Sequence, residues 1–133
     1  MLLSKHHAML VSLLTVMSTS AMAEWVEVGT SDTDTLYFDP AIRLSDNNTF
    51  KLWALKDFKM SQRLNELESV KSAKVEYEYD CKAQQARMLY YTSYSESMAG
   101  CDIVDFNVAP SDWVLISANS GNELLWKIAC GKA

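Results

Sequence analysis

The side chains best suited to chemistry are kept apart along this chain, and that separation limits what it can catalyse. Both histidines, His6 and His7, lie within the first seven residues. Ser-His-Asp and Cys-His nucleophiles need an imidazole, so both are excluded from a product that loses this leader. No S-x-x-K occurs beyond it, which removes a Ser-Lys variant. Cys81, Cys101 and Cys130 form no C-x-x-C, and three widely spaced thiols without histidine fall short of a zinc site. A glycosidase-like carboxylate pair would have to come from Asp80, Asp102 and Asp105. Glu76, Glu78 and Asp80, however, read as the solvated face of one strand. Asp32 and Asp34 sit in Thr-Ser-Asp-Thr-Asp-Thr (30–35), which lacks the glycine and distal glutamate of a calcium loop and reads as a wet loop. Asn47-Asn48-Thr49 matches a glycosylation acceptor, for which a turn reading suffices.

Aromatic residues offer binding chemistry instead. Tyr77, Tyr79, Tyr90, Tyr91 and Tyr94 fall on two neighbouring strand segments. Most pack in the core or against cross-strand partners. Alternation sends Tyr90 and Tyr94 to the face opposite Tyr91. That makes them the candidate contact surface, since each ring brings area at little entropic cost. Cys101 follows a glycine at the start of a strand. It reads as a buried small hydrophobe or, more sharply, as a free, redox-sensitive or intermolecular thiol.

These groups need elements to position them. Residues 1–23 read as a cleaved secretory signal. Lys5 precedes the apolar run Ala8–Met17, which is too short to span a bilayer, and Ala21-Met22-Ala23 closes it with an A-x-A site. Residues 24–133 then make a single domain. Losing Lys5 leaves eleven basic residues against seventeen acidic ones, a net charge of −6. An acidic chain without a basic stripe repels phosphate backbones, so nucleic acid is not an expected partner. No later apolar stretch approaches eighteen residues, so no stable membrane insertion is expected. No cysteine follows the cleavage site to carry a lipid. Export with the periplasm as default is the reading, with the cell surface or the medium as alternatives.

The remaining chain reads as strands first and a helix last, an α+β pattern. Strands are expected over Glu24–Gly29, Leu36–Asp39, Thr49–Phe58, Lys74–Lys82, Arg87–Ser95 and Gly100–Phe106. The second strand bends at Asp39-Pro40 and continues through Ala41–Leu44, Asp46-Asn47-Asn48 makes a hairpin turn, and Lys59–Ser72 is a long exposed connection. Val75, Tyr77, Tyr79 and Cys81 alternate with charged residues, the cleanest period in the chain. Ser120 and Glu123 form an S-x-x-E capping signal before Leu124–Cys130. Leu124, Leu125, Trp126, Ile128 and Ala129 share a broad apolar arc there. Gly131 stops the helix. Three disulfide pairings are open. Cys81 ends the apolar row of a strand and Cys130 ends a helix that needs a sheet to cover, so Cys81–Cys130 is favoured.

Trp25, Leu36-Tyr37-Phe38-Asp39, Lys51-Leu52-Trp53, Tyr79-Asp80-Cys81, Arg87, Gly100, Trp113 and the closing Ser120–Cys130 segment together resemble the surface-adhesin protein E family of small exported bacterial proteins. The resemblance implies an antiparallel sheet of about six strands with a C-terminal helix disulfide-linked across one face. It also implies a non-catalytic protein without cofactors that binds other macromolecules, since the family's namesake is a dimeric lipoprotein adhering to host matrix and serum proteins. A homodimer is therefore part of the expectation. The chain departs from the family in lacking the lipid-bearing cysteine and in having Cys101. The competing expectations are a periplasmic accessory or assembly protein and a hydrolase using carboxylates alone.

Overall fold

A computed structural model describes residues 24–131; the expected export signal lies outside the described residues. One antiparallel sheet holds β1 (Val26–Thr30), β2 (Asp34–Phe38), β3 (Arg43–Asp46), β4 (Thr49–Arg63), β5 (Ser69–Asp80), β6 (Gln85–Glu96), β7 (Gly100–Asn107) and β8 (Val114–Leu115). A single α-helix among the described residues, α1 (Gly121–Ala129), closes the chain. Six strands run side by side in the order β1-β2-β4-β5-β6-β7. The short strands β3 and β8 extend the edges of β4 and β6, giving eight strands where about six are expected. Antiparallel pairing throughout follows from short connections between consecutive strands.

The alternation of β5 drives the core. Leu52, Ala54, Val75, Tyr77, Tyr79 and Ala86 form one apolar face, onto which Leu125, Trp126 and Ala129 of α1 pack. The helix is fixed at both ends. At its start, the Ser120 hydroxyl accepts from the Glu123 N–H at 3.2 Å, and the buried Tyr79 hydroxyl donates to Asn122 at 2.8 Å. At its end, the Cys81–Cys130 disulfide joins it to the end of β5 with a Cα separation of 5.6 Å. The Trp126 indole N–H also donates to the Asp80 carbonyl at 2.9 Å. Gly131 then takes a φ of +63°, the left-handed position that ends a helix. The buried arc is narrower than expected, because Leu124 is turned out to the rim of the helix–sheet contact.

One further expectation is corrected. Lys59–Ser72 is not a connection: β4 runs on to Arg63 and β5 starts at Ser69. Both faces of this hairpin end are exposed over residues 59–69, so no burial imposes an alternation on its sequence. Asn65 makes the turn by accepting from the Leu67 and Glu68 N–H groups, both at 2.9 Å. The expected hairpin turn at Asn47-Asn48 joins β3 to β4, with a register shift between Leu44 and Asp46. Among the described residues no helix is long and apolar enough to cross a membrane.

Candidate contact surface

Residues directly opposite one another in a ladder point to the same face. The register sets Trp53, Glu76 and Tyr90 in one row and Lys51, Glu78 and Arg87 in the next, on the face without the helix. Thr92 and Tyr94 continue this face and pair with Phe106 and Ile103 of the edge strand β7.

Here the expected solvated carboxylates are buried. Glu76 and Glu78 are each only 3 % exposed. Glu76 pairs with Arg43 at 2.7 Å. Glu78 receives the Arg87 guanidinium at 2.6 Å, the Ser45 hydroxyl at 2.5 Å and the Thr49 hydroxyl at 3.4 Å. Burial on its own raises the Glu78 carboxyl. The hydrogen bonds from Ser45 and Arg87, with the charges of Arg87 and Lys51, outweigh it and hold the group below the usual carboxylate range. Alternation distinguishes a polar face from an apolar one, but not a face bathed in water from one supplied with its own arginines.

An aromatic row lies beside these pairs. The Lys74 ammonium sits 4.8 Å from the Trp53 ring centre and 5.9 Å from that of Trp25. Trp53 stacks on Tyr90 at 6.1 Å and 22°. Arg87 also lies over Trp113 at 4.7 Å. Leu55, which pairs with Lys74 and Tyr37, is fully buried on the same helix-free face.

Tyr90 and Tyr94 do share the face opposite Tyr91, whose ring packs against the core under the helix. Their environments differ. Tyr90 is 43 % exposed, whereas Tyr94 is half-buried and its hydroxyl is pushed up by desolvation. Beyond them, Ile103 and Phe106 are 60 % and 67 % exposed. Sequence reading missed both, together with the ion pairs of Arg43 and Arg87. For Ile103 and Phe106 the available signal is two large apolar residues in a segment otherwise bearing Asp102, Asp105 and Asn107. At the far end, the turn Ser97–Ala99 closes over the sheet. Its Ala99 and Met98 N–H groups donate to Ser72 at 2.9 Å and Asp57 at 3.1 Å.

Cys101 is exposed and unpaired at a φ of +65°, so its reading as a buried hydrophobe is overturned. A left-handed residue leaving a turn at the sheet edge has nothing packed over it. The three candidate aspartates are not brought together. Asp80 pairs with Gln85 at one end of β6, while Asp102 and Asp105 flank the contacts of Ser93 and Tyr94 near the other. Asp80 instead shapes a turn, accepting from the Lys82 and Ala83 N–H groups at 2.9 Å. Asp34 belongs to a hydroxyl-rich turn in which Thr33 donates to it at 3.1 Å. Among the described residues no group of three or more His, Cys, Asp or Glu is placed to hold a metal ion.

Three structures of Haemophilus influenzae protein E share this architecture at 11 % sequence identity. Crystal form II superposes with a TM-score of 0.58, over 73 % of this chain and 80 % of that one. Another structure gives 0.58 over 86 % and 92 %, and a selenomethionine form gives 0.54 over 72 % and 78 %. At that identity the likeness speaks for the fold. No curated protein sequence matches the chain. The family model described as surface-adhesin protein E matches residues 25–131, and the chain belongs to that family.

Proposed function

We propose that the chain is an exported, non-catalytic binding protein of the bacterial envelope that contacts another protein through the helix-free face of its sheet. The observation that carries this reading is the placement of Tyr90, Ile103 and Phe106. All three are large, exposed and on one face, beside the half-buried Tyr94 and the Trp53 stack. Exposed aromatic and aliphatic side chains bordered by charged groups are the makings of a protein contact. Family membership supports an adhesin-like role, and the resemblance to the family's namesake points to a protein of the host matrix or serum as the kind of partner.

An epitope-tagged copy tested for protease accessibility in intact and outer-membrane-permeabilised cells locates the chain. Digestion in intact cells is expected of an adhesin. Binding of the purified chain to immobilised matrix and serum proteins then tests the contact, which the double substitution Ile103→Glu, Phe106→Glu is expected to weaken. Protection until permeabilisation, together with no such binding, supports the periplasmic accessory role instead.

A further inference from the structure

The hydroxyl-rich turn after β1 is not part of the contact surface, yet it borders a cleft. This cleft, between that turn and the start of α1, has a volume of about 460 Å³. Small-molecule sites span roughly 300–1,000 Å³. Its apolar wall is Leu36 with Leu124 and Leu125 of the helix, and its charged groups are Lys56 of β4 and Asp34 of β2. Leu36 pairs with Lys56 and Asp34 with Phe58. Lys56 and Asp34 are thus diagonal neighbours on one face, with backbones roughly 7–8 Å apart. They do not pair with each other, and the Lys56 ammonium has no ion pair or hydrogen bond with any described residue. A half-buried ammonium and carboxylate, side by side and unjoined, leave room for a ligand that meets both.

We propose that this cleft binds a small zwitterion with an apolar side chain, a free amino acid or a short peptide. Its carboxylate lies against Lys56, its ammonium against Asp34 and its side chain on Leu36, Leu124 and Leu125. A simple carboxylate would leave Asp34 repelling it, and a neutral sugar would use neither charge. The cleft shares no residue with the helix-free face, so this inference goes beyond the adhesin-like reading and stands or falls separately.

Heteronuclear NMR titration of the purified chain tests it with four probes: leucine, leucyl-leucine, leucinamide, which lacks the carboxylate, and isocaproate, which lacks the ammonium. Saturable shifts of the amides lining the cleft are expected with leucine or leucyl-leucine. Whichever of the two binds more tightly identifies a free amino acid or a peptide as the occupant. Removing either charge from the probe is expected to weaken binding about tenfold or more. Lys56→Met and Asp34→Asn are expected to do the same, while Lys59→Met, on the exposed hairpin end, leaves it unchanged. The proposal is overturned if neither zwitterion gives saturable shifts at millimolar concentration, if isocaproate binds as well as leucine, or if Lys56→Met binds like the unaltered chain.

Discussion

At the scale of single residues, Glu78 shows how a buried charge is kept. Desolvation disfavours its carboxylate, and the Ser45 and Arg87 hydrogen bonds more than offset that cost. A carboxyl held below its unfolded value binds fewer protons in the fold than in the open chain. Its contribution is therefore present above the ordinary value of 4.5 and lost as pH falls through the lower folded value. Glu78→Gln should lower stability near pH 7 by about 1–2 kcal/mol. This is less than the ~3–5 kcal/mol of a fully buried pair, because the Arg87 side chain is 32 % exposed and partly screened. Denaturant titrations at several pH values check this, and the gap between the two proteins should close below pH 4.5. Tyr79 runs the other way. Burial, with the neighbouring Tyr77, pushes its hydroxyl well above the usual 10.0. The folded chain keeps that proton where the unfolded chain releases it, so stability falls as pH rises past 10. Tyr79→Phe should cost about 1 kcal/mol at neutral pH through the lost bond to Asn122, and its stability should decline less steeply in alkali.

At the scale of elements, the helix depends on a link the chain makes far from it in sequence. Cys81 and Cys130 are 49 residues apart. Closing a loop of that length contributes roughly 4 kcal/mol on the chain-entropy account. Cys81→Ser with Cys130→Ser should lower stability by an amount of that order. It should also speed hydrogen exchange of the Gly121–Ala129 amides more than those of β5, because Tyr79 and the Ser120 cap hold the helix start while only the Trp126–Asp80 hydrogen bond and packing are left toward its end. Exchange rates rising equally in both elements would contradict a tether acting on the helix. This link was legible because one cysteine ends a two-residue period and the other ends a 3.6-residue period. Burial imposes both periods. Where no neighbour covers the backbone, as at 59–69, the period vanishes and a strand reads as a loop. Where charged groups are buried with partners, as at Glu76 and Glu78, the period survives but its wet side is misread. The partners Arg43 and Arg87 lie 33 and 9 residues away, and no local pattern announces a pairing across strands. The shared face of Tyr90 and Tyr94 was legible for the same reason as the core, since alternation assigns faces. Ile103 and Phe106 join them only through the β6–β7 register.

At the scale of the whole molecule, the two faces of the sheet do different work. One is closed by the helix, and the other carries an aromatic and ionic layer of its own, continuous with an exposed edge strand. That second layer divides into a part that is packed and a part that is exposed. Trp53 is half-buried, with the Lys74 ammonium over its ring and Tyr90 stacked on it, so Trp53→Ala should cost about 2–3 kcal/mol, somewhat less than truncation of a fully buried tryptophan. Ile103 and Phe106 are mostly in water, and substitutions at such sites usually change stability by no more than about 0.5 kcal/mol. On the reading that this face meets a partner, Ile103→Glu with Phe106→Glu should leave the thermal midpoint nearly unchanged. The same pair of charges should weaken partner binding about tenfold or more, since a contact must then desolvate two carboxylates without counterions. Calorimetry and a binding isotherm on the same preparations separate the two quantities. A variant that binds normally while folded would move the contact off this face, to the helix side or the β1 edge. A large fall in stability would mean that Ile103 and Phe106 belong to the structural layer with Trp53, and that the free part of the face ends at Tyr90.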